Sequence, residues 1–561
     1  MAKEINSLAL KSKKFFSFLR KVWQVLLDEG PSQFQFWFIA MMIGVVAGFM
    51  ALFFRKAIES LQAQLYLLDE NQLIFSVTET LPWYWILFLP VLGGLLVGFI
   101  LHQFTPDARV RSVADVIEGA AIRNGKVETR AGIASAIASL ITLSSGGSSG
   151  REGPVVHLAA VISTKVSRWM NATGLTSRDL LGCAVAAAVS ASFNAPIAGT
   201  IFALEVVLRH FALHAFAPIS IAAVAGAVIN RLEYGNVTEF ELFETNALYF
   251  YVELPAFLVL GLMSGLIAVA LMKSIFLAED AANEIQSRYR IPRWLRPAIA
   301  GLLLGIIALF FPHIIGVGYD TTSLALTGQL LLHEAVIFCI FKGIAVVITI
   351  AGRMGGGVFS PSLMVGALAG LGFGIVATSI FPNSSSSETL YALAGMGAVA
   401  SAVLGAPIST TLIVFELTGD WQTGLALMAS VSIATIVASR AVHRSFFLTQ
   451  LERRGLHLAD GPQAYVLSMC FINEIMRPVE DLDRKLIDDL EKLVSKNVFV
   501  KSNQTLDSAL AIFENMSTTV IPVVVFQGDQ RKLELCGALF QVDALKGYNK
   551  ALITTAAEEH S

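Results

Sequence analysis

The chain has 561 residues, of which 55% are hydrophobic and only 15% are charged. About 25% of residues are charged in a soluble domain, so this composition is typical of a protein that crosses a membrane many times. The formal net charge of −3 provides no basic surface for nucleic acid, and we expect no nucleic-acid partner.

Basic residues cluster ahead of the first long apolar segment. No small-residue cleavage site follows a short apolar core there, so a signal peptide is not predicted. Basic flanks of membrane segments usually stay in the cytoplasm. We therefore expect residues 1–30 to be a cytoplasmic segment of a protein of the cell (inner) membrane, with both termini in the cytoplasm. The basic residues are Lys3, Lys11, Lys13, Lys14, Arg20 and Lys21.

Apolar segments follow one another as far as residue 441, and many are shorter than the roughly 20 residues that a spanning helix needs. Helix ends cannot face lipid, so the short segments must be partial or tilted helices that meet other protein within the membrane. This pattern is typical of a transporter or channel. The sequence therefore predicts an all-α polytopic membrane protein, in which a small soluble tail follows the last apolar segment.

Two short motifs recur after about 210 residues. The first is an Ala-Pro-Ile helix start followed by a glutamate, and the second is a glycine-rich break that ends in proline. Such recurrence predicts two repeated halves with interrupted helices, 31–235 and 236–450, and the breaks mark the binding site. We expect the two glutamates to be structural groups at helix ends. The motif pairs are Asn194–Ile197 with Glu205 against Gly405–Ile408 with Glu416, and Gly150–Pro154 against Gly357–Pro361.

The sequence GREGP, from Gly150 to Pro154, suits the start of a helix within a membrane. Glycine lets the chain bend, proline is tolerated in the first turn, and the unpaired N–H groups of the helix start attract anions. A second such start at GVFSP, in the other half, could hold a partly dehydrated anion without a full positive charge. The carboxylate of Glu152 would compete for the same place when ionised, which predicts a gate.

Three motifs in this order resemble the CLC family of chloride channels and proton-coupled chloride antiporters. They are GREGP, GGVFSP from Gly356 to Pro361, and FNAPIAG from Phe193 to Gly199, and the resemblance covers about residues 31–450. It implies an inverted repeat of two halves, a homodimer with one pore per subunit, and chloride or a similar small anion as the transported ion.

The resemblance also assigns site residues. Glu152 falls on the family's gating glutamate, and the backbone amides of Val358 and Phe359 fall on anion contacts. Gly150, Arg151 and Gly153 complete the anion-binding stretch at the first helix start, although Arg151 could instead be an orienting or interface charge.

The family's first anion motif, usually GSGIP, is altered here to Arg-Ser-Val-Ala-Asp. Ser112 can still supply its hydroxyl, but the flanking glycines are absent and Asp115 stands at the proline position. Chloride preference is therefore less secure, and another small anion is possible.

Two further positions depart from the family pattern. The tyrosine that lends a hydroxyl to the central anion aligns with Phe447, whose ring cannot donate a hydrogen bond. The internal proton-transfer glutamate of many exchangers aligns with Val206, which cannot carry a proton. These residues favour a passive channel, while a proton-coupled antiporter stays open because some exchangers manage without that glutamate.

Other chemistry is not predicted. No nucleophile with a base, no HExxH motif and no Walker motif occurs, so we expect neither an enzyme nor a metal site nor another cofactor. His157 is expected to pack or hydrogen-bond within a helix contact, with proton relay as the alternative. Four widely spaced cysteines predict reduced packing thiols. They are Cys183, Cys339, Cys470 and Cys536.

The tail, 451–561, resembles a CBS module. Its pattern predicts a strand near Phe499, a helix from Thr505, two strands and a last helix from Asp543. Ile475–Pro478 is interpreted as the opening of a first copy that was never completed. Phe540 replaces the usual hydroxyl residue before the last helix, so nucleotide binding is not expected and a packing or dimerising role is favoured.

Overall fold

The computed structural model describes most of the chain beyond residue 32, with short gaps. The expected cytoplasmic segment 1–30 lies outside the described residues. The chain divides into two compact units, residues 1–208 with 217–456, and residues 209–216 with 457–561. The described ranges are 33–68, 74–78, 80–172, 174–211, 213–235, 250–382, 385, 387–418, 421–456, 458, 470–495, 498–502, 504, 506–516, 518–527 and 532–560.

Helices make up the first half of the chain. Pro196 begins a helix whose last part, Ala203–Leu208, winds as a π-helix. The helices are α1 Gln33–Tyr66, α2 Ile74–Thr78, α3 Trp83–Phe104, α4 Val113–Ile122, α5 Thr129–Ser145, α6 Glu152–Trp169, α7 Gly174–Phe193, α8 Pro196–Phe202 and α9 Leu213–Tyr234.

The second half repeats this character. A 3₁₀ turn, Pro312–Ile314, lies ahead of a short helix that begins at Tyr319. The helices are α10 Phe250–Arg288, α11 Arg296–Phe310, α12 Tyr319–Leu326, α13 Leu332–Ala351, α14 Phe359–Ile380, α15 Glu388–Leu404, α16 Pro407–Thr418, α17 Trp421–Val442 and α18 Phe446–Glu452.

Seven helices within the described ranges are long and apolar enough to cross a membrane, among them α1, α3, α10 and α14. Others are apolar but too short, including Pro196–Leu208 and Glu388–Leu404. The expected mixture of full and partial helices is therefore confirmed, together with the all-α membrane fold.

Small residues let helices from the two halves approach closely. A Cβ atom on Gly94 of α3 would lie 2.3 Å from the carbonyl oxygen of Pro297, at the start of α11. A Cβ atom on Gly301 of α11 would lie 2.1 Å from the carbonyl oxygen of Pro90. Close packing of this kind stabilises helix association in a membrane, because the hydrophobic effect contributes little between helices in lipid.

The two Ala-Pro-Ile helix starts are capped reciprocally. The carboxylate of Glu205 accepts hydrogen bonds from the backbone N–H groups of Ile408 (3.0 Å) and Ser409 (2.7 Å), at the start of α16. The carboxylate of Glu416, on α16, accepts those of Ile197 (3.0 Å) and Ala198 (2.8 Å), at the start of α8. Each half thus satisfies the orphan donors of the other, which confirms the structural role predicted for both glutamates.

The tail forms one four-stranded sheet with the strand order β1-β4-β3-β2. Its buried core includes Val500, Leu506, Phe513 and Ile521. The predicted order of strand, helix, two strands and helix is confirmed. The elements are α19 Ile472–Ile475, β1 Arg477–Pro478, α20 Arg484–Ser495, β2 Val500–Lys501, α21 Leu506–Met516, β3 Val520–Gln527, β4 Lys532–Phe540 and α22 Gln541–His560.

The interpretation of Ile475–Pro478 as part of a separate, unfinished copy is wrong. Arg477 and Pro478 form β1, which pairs antiparallel with Ala538 and Gly537 of β4 in the same sheet. The segment is therefore the opening strand of the single module. It escaped sequence analysis because α20 and its flanking turns separate it from β2.

Candidate functional site

The two glycine-rich breaks meet as a short antiparallel bridge. The N–H of Gly150 donates to the carbonyl of Gly357 at 2.7 Å, and the N–H of Gly357 donates back to the carbonyl of Gly150 at 2.8 Å. Ser149 adds a side-chain hydrogen bond to the carbonyl of Gly355 at 2.9 Å. Since α6 begins at Glu152 and α14 at Phe359, two helix N-termini from opposite halves converge at this bridge.

The bridge demands glycine at position 356. Gly356 has φ = +124°, a conformation that side chains disfavour, and a Cβ atom there would lie 1.9 Å from the Oγ of Ser149. We expect Gly356→Ala to destabilise the protein by about 1–3 kcal/mol and to lower anion flux, because the bridge must shift. Thermal unfolding in detergent measures the first effect and liposome flux the second.

Gly343→Ala is the matched control, because a Cβ atom at Gly343 meets nothing within 4 Å. Equal loss in both variants would contradict the claim that the bridge requires glycine at position 356.

Glu152 is the first residue of α6 and is 2% exposed. Its Oε1 accepts hydrogen bonds from the Oγ of Ser360 at 2.5 Å and from the Oη of Tyr319 at 2.8 Å. The two hydroxyl oxygens are themselves 3.2 Å apart. The other oxygen, Oε2, has no hydrogen-bond partner among the described residues. The carboxylate is thus held through one oxygen by two neutral donors.

Arg151 contributes less to the carboxylate than its position suggests. Its Nε lies 3.9 Å from the Oε1 of Glu152, longer than either hydroxyl contact. The guanidinium carbon lies 4.7 Å from the ring centroid of Tyr319, and Nη2 donates to the carbonyl of Ser192 at 3.4 Å. This geometry fits the orienting role that we gave as the alternative for Arg151.

Val358 and Phe359 occupy the start of α14 and are buried. The first N–H groups of a helix have no intrahelical partner, and both residues lie within two positions of Gly357 in the bridge. The ring of Phe359 packs against Phe193 (4.8 Å between centroids) and Phe202 (5.9 Å). The FNAPIAG motif therefore positions the GVFSP motif. Gly153 lies beside Gly357, since a Cβ atom there would be 3.4 Å from the Cα of Gly357.

The altered motif around Ser112 has a structural explanation. The Ser112 N–H donates to the Oδ2 of Asp115 at 2.8 Å, so this carboxylate occupies the N-terminus of α4. Its Oδ1 is paired with Arg109 and Arg454, each at 3.1 Å. The aspartate at the family's proline position thus places a negative charge at the start of α4, and two arginines compensate it.

Charged residues on the loop before α4 form a second network. The pKa of Asp107 lies below its usual range. Burial raises this pKa, but the hydrogen bonds and charges of Arg111 and Arg109 together lower it by more than burial raises it. Arg111 also contacts Glu128, with 2.8 Å between Nη2 and Oε2. Arg111 is therefore fully engaged in ion pairs beside Ser112.

Two cavities reach the paired motifs. One of about 260 Å³ is lined by Arg151 and Tyr319, and one of about 520 Å³ is lined by Ser112, Gly356 and Arg454, among others. Glu152, which contacts Tyr319, adjoins residues of the first cavity, and the Gly357 bridge adjoins residues of the second. The cavities are candidate entrances for an ion.

Val206 and Phe447 are both buried, at 6% and 3% exposure. Val206 lies in the π-helix, and Phe447 is the second residue of α18, which packs against α4. Neither position offers a protonatable group or a hydroxyl. The structure does not bring either side chain into the hydrogen-bonded cluster at Glu152.

Three residues of this region were not predicted from the sequence. Tyr319 and Ser360 hold Glu152, and the fully buried Lys342 of α13 donates to the carbonyls of Ile314 (3.1 Å) and Gly316 (3.0 Å), just ahead of Tyr319. A lysine inside an apolar segment is a signal that could have been found. No local pattern marks Tyr319, because its role arises from tertiary contact alone.

The remaining predicted residues lie outside the cluster. His157 is buried against Gly132, and neither ring nitrogen has a hydrogen-bond partner among the described residues. Packing between α5 and α6 thus fits the position, and the hydrogen-bonded variant of that prediction is not seen. All four cysteines are thiols that form no disulfide with one another, as predicted. No group of three or more metal-ligating side chains occurs in the described ranges.

Comparison with known proteins matches this architecture. The family model for voltage-gated chloride channels covers residues 93–439, more than half of the chain. A ClcB-like protein of Ralstonia nicotianae, named as a chloride channel, is 30% identical over 74% of this chain and 96% of its own length. The voltage-gated ClC-type chloride channel ClcB of Escherichia coli is 29% identical over 73% of this chain and 97% of its own.

Solved structures share the fold at lower identity. A slow cyanobacterial Cl⁻/H⁺ antiporter has a TM-score of 0.67 at 20% identity, covering 76% of this chain and 98% of its own. A CLC-type fluoride/proton antiporter has a TM-score of 0.62 at 23% identity, covering 74% and 98%. The family match, the repeated halves and the paired helix starts lead to one conclusion: this chain belongs to the CLC family of voltage-gated chloride channels.

Proposed function

We propose that the chain transports chloride, or a similar small anion, through a pore gated by Glu152. One observation carries this proposal: the Glu152 carboxylate lies where two helix N-termini from opposite halves meet, held by two hydroxyls. Donors that hold a carboxylate oxygen can hold a permeating anion in its place. The site lacks a lysine cage, and weak neutral donors suit an ion that must leave again.

Protonation is the event that opens the gate in this proposal. When Glu152 is ionised, its hydrogen bonds with Ser360 and Tyr319 are charge-assisted and hold the carboxylate most strongly in the blocking position. A proton removes the charge and weakens both bonds. The Oε2 atom, which lacks a partner among the described residues, makes the carboxyl easier to displace, since only one oxygen must be released.

Passive conduction is the form of transport that we favour. The proton that reaches Glu152 from one side would need a second internal acceptor to cross, and the family's position for it is the buried Val206. The alternative is a proton-coupled antiporter, which is the activity of two structurally similar proteins. A different internal residue would then have to carry the proton.

Chloride is the default ion, although the inner end of the pore differs from the family pattern. Asp115 neutralises part of the arginine charge beside Ser112, and Phe447 provides no hydroxyl. Chloride efflux from liposomes containing the purified protein tests the proposal. Efflux that requires the protein supports it, whereas chloride-loaded liposomes that release nothing at any pH between 5 and 8 would refute it.

Assembly and membrane placement belong to the same proposal. We propose a homodimer in the cell (inner) membrane, with one pore per subunit and both termini in the cytoplasm. The resemblance to the family supports the dimer, and the basic residues ahead of α1 support the orientation. Light scattering of the purified protein in detergent would measure the subunit number.

The tail is proposed to pack or dimerise rather than to bind nucleotide. In the single module, Arg477 pairs with Asp543 at 2.7 Å and lies over the ring of Phe540, 4.5 Å from its centroid. The hydrogen bond from Arg477, first among its causes, holds the pKa of Asp543 below its usual value. These residues contact each other at the start of the last helix, where the lost hydroxyl would have met a phosphate.

We therefore expect millimolar ATP or AMP to leave the melting temperature of the full chain unchanged, because a ligand raises it only by binding the folded state. Differential scanning fluorimetry makes the measurement. A rise of several degrees that disappears in Asp543→Ala would instead identify a nucleotide sensor.

A further inference from the structure

Tyr319 occupies a position that the proposed gate does not by itself explain. Its hydroxyl donates to the Oε1 of Glu152 at 2.8 Å, and it lies 3.2 Å from the hydroxyl of Ser360, which donates to the same atom. Two neutral donors thus converge on a single point. When the carboxylate leaves, both hydroxyls lose this shared charged acceptor, and a hydrogen bond to a charged group is worth about 1.5–3 kcal/mol.

The surroundings prepare Tyr319 for this position. Gly318, the residue before it, has φ = +91°, and a Cβ atom there would lie 2.4 Å from the Sδ of Met364. Lys342 fixes the preceding segment through the carbonyls of Ile314 and Gly316. The guanidinium of Arg151 lies over the phenol ring at 4.7 Å. Three contacts therefore hold the ring in place: the close packing at Gly318, the hydrogen bonds of Lys342 to the preceding segment, and the guanidinium of Arg151 over the ring face.

Tyr319 also faces an entrance. It is half-buried and lines the cavity of about 260 Å³ together with Arg151. The lining of this cavity includes the phenol but not the bridge between Gly150 and Gly357. Two arginines, Arg55 and Arg151, and two carboxylates, Glu59 and Asp320, line the cavity, so its formal charges balance. The guanidinium next to the hydroxyl is that of Arg151.

We propose that Tyr319 is a specificity-determining residue of the pore, whose hydroxyl binds the permeating anion at the point that the Oε1 of Glu152 occupies when the gate is closed. This inference rests on the proposed function. It gives the chain a phenolic donor to the anion from α12, although Phe447 provides none from α18. The ligand class is a small monovalent anion that has lost part of its water, and Ser360 supplies the second hydroxyl.

The test removes the competing carboxylate first. Chloride is titrated calorimetrically into full-length Glu152→Ala and into Glu152→Ala with Tyr319→Phe, in a chloride-free buffer. A hydrogen bond to a charged group is worth enough that we expect the second protein to bind chloride about tenfold more weakly. Ser360→Ala in the same background should weaken chloride binding in the same direction.

A second measurement separates this role from a structural one. In the protein with Glu152 intact, Tyr319→Phe should move the midpoint of acid activation of flux to higher pH, because the proton then competes with one hydroxyl fewer. The matched control is Tyr391→Phe, which removes a hydroxyl in the contact of Tyr391 with Phe257, away from the site. It should change neither the chloride affinity nor the midpoint.

The outcomes are distinct. Equal chloride affinity of Glu152→Ala with and without the Tyr319 hydroxyl would overturn the inference and leave the proposed transport function intact. If Glu152→Ala binds no chloride and the wild-type protein moves none, the proposed function fails, and the inference fails with it.

Discussion

Glu152→Ala conducts anions at the same rate at pH 5 and pH 8 if Glu152 is the gate. The wild-type carboxylate is held by Ser360 and Tyr319, and hydrogen bonds to a charged group are worth roughly 1.5–3 kcal/mol each. Removing the carboxylate removes both the block and its response to protons. At pH 8 we therefore expect the variant to exceed the wild-type flux by about tenfold or more, the factor that 1.4 kcal/mol represents.

Chloride efflux from liposomes at a series of pH values measures this effect. Glu152→Gln serves as the second variant, since it keeps the side-chain size without the charge and should be equally insensitive to pH. Strong acid activation that persists in both variants would place the gate elsewhere.

Glu416→Ala should produce the largest loss of stability. The carboxylate accepts hydrogen bonds from the N–H groups of Ile197 and Ala198 at the start of α8, which belongs to an apolar helix too short to span a membrane. Losing two charge-assisted hydrogen bonds leaves two donors unsatisfied, which we expect to lower the free energy of unfolding by about 3–6 kcal/mol.

Unfolding in detergent, followed by circular dichroism, tests this expectation. Glu416→Gln retains one acceptor oxygen and should fall between the alanine variant and the wild type. Glu284→Ala, on an exposed position of α10, is the matched control and should leave stability unchanged. If Glu416→Ala and Glu284→Ala have the same unfolding midpoint, the reciprocal caps do not stabilise the fold.

The parts of the fold that sequence could predict are those that recur along the chain. The spacing between GREGP and GVFSP anticipated a pairing that the structure shows as the bridge between Gly150 and Gly357. The Ala-Pro-Ile repeats anticipated helix starts with structural glutamates, and the bonds of Glu205 and Glu416 explain why both are needed. Repeats carry such information because one half must satisfy donors that the other half leaves unpaired.

The parts that could not be predicted depend on contacts between distant residues without a shared pattern. Asp115 looked only like a lost proline, yet it caps α4 and pairs with Arg454, which lies 339 residues further along the chain. Ser360 was given no role within GVFSP, and no motif marks the loop ahead of Tyr319. Their hydroxyls acquire a role because α12 and α14 bring them to the same oxygen of Glu152.

The roles assigned to Glu152, Ser112, Val358, Phe359 and Phe447 stay predictions, since each concerns an ion. The geometry supports them to different degrees. Glu152 has two identified donors and an unpartnered second oxygen among the described residues, whereas Ser112 shares its helix start with a compensated aspartate. The end of the proposed pore at Glu152 is therefore better defined than the end at Ser112.

The most direct test is to record chloride and proton movement together in liposomes that contain the wild-type protein and a steep chloride gradient. With Val206 at the internal position, we expect chloride efflux, acid activation through Glu152 and no proton movement against its gradient. Uphill proton transport driven by the chloride gradient would contradict passive conduction and identify the chain as an antiporter.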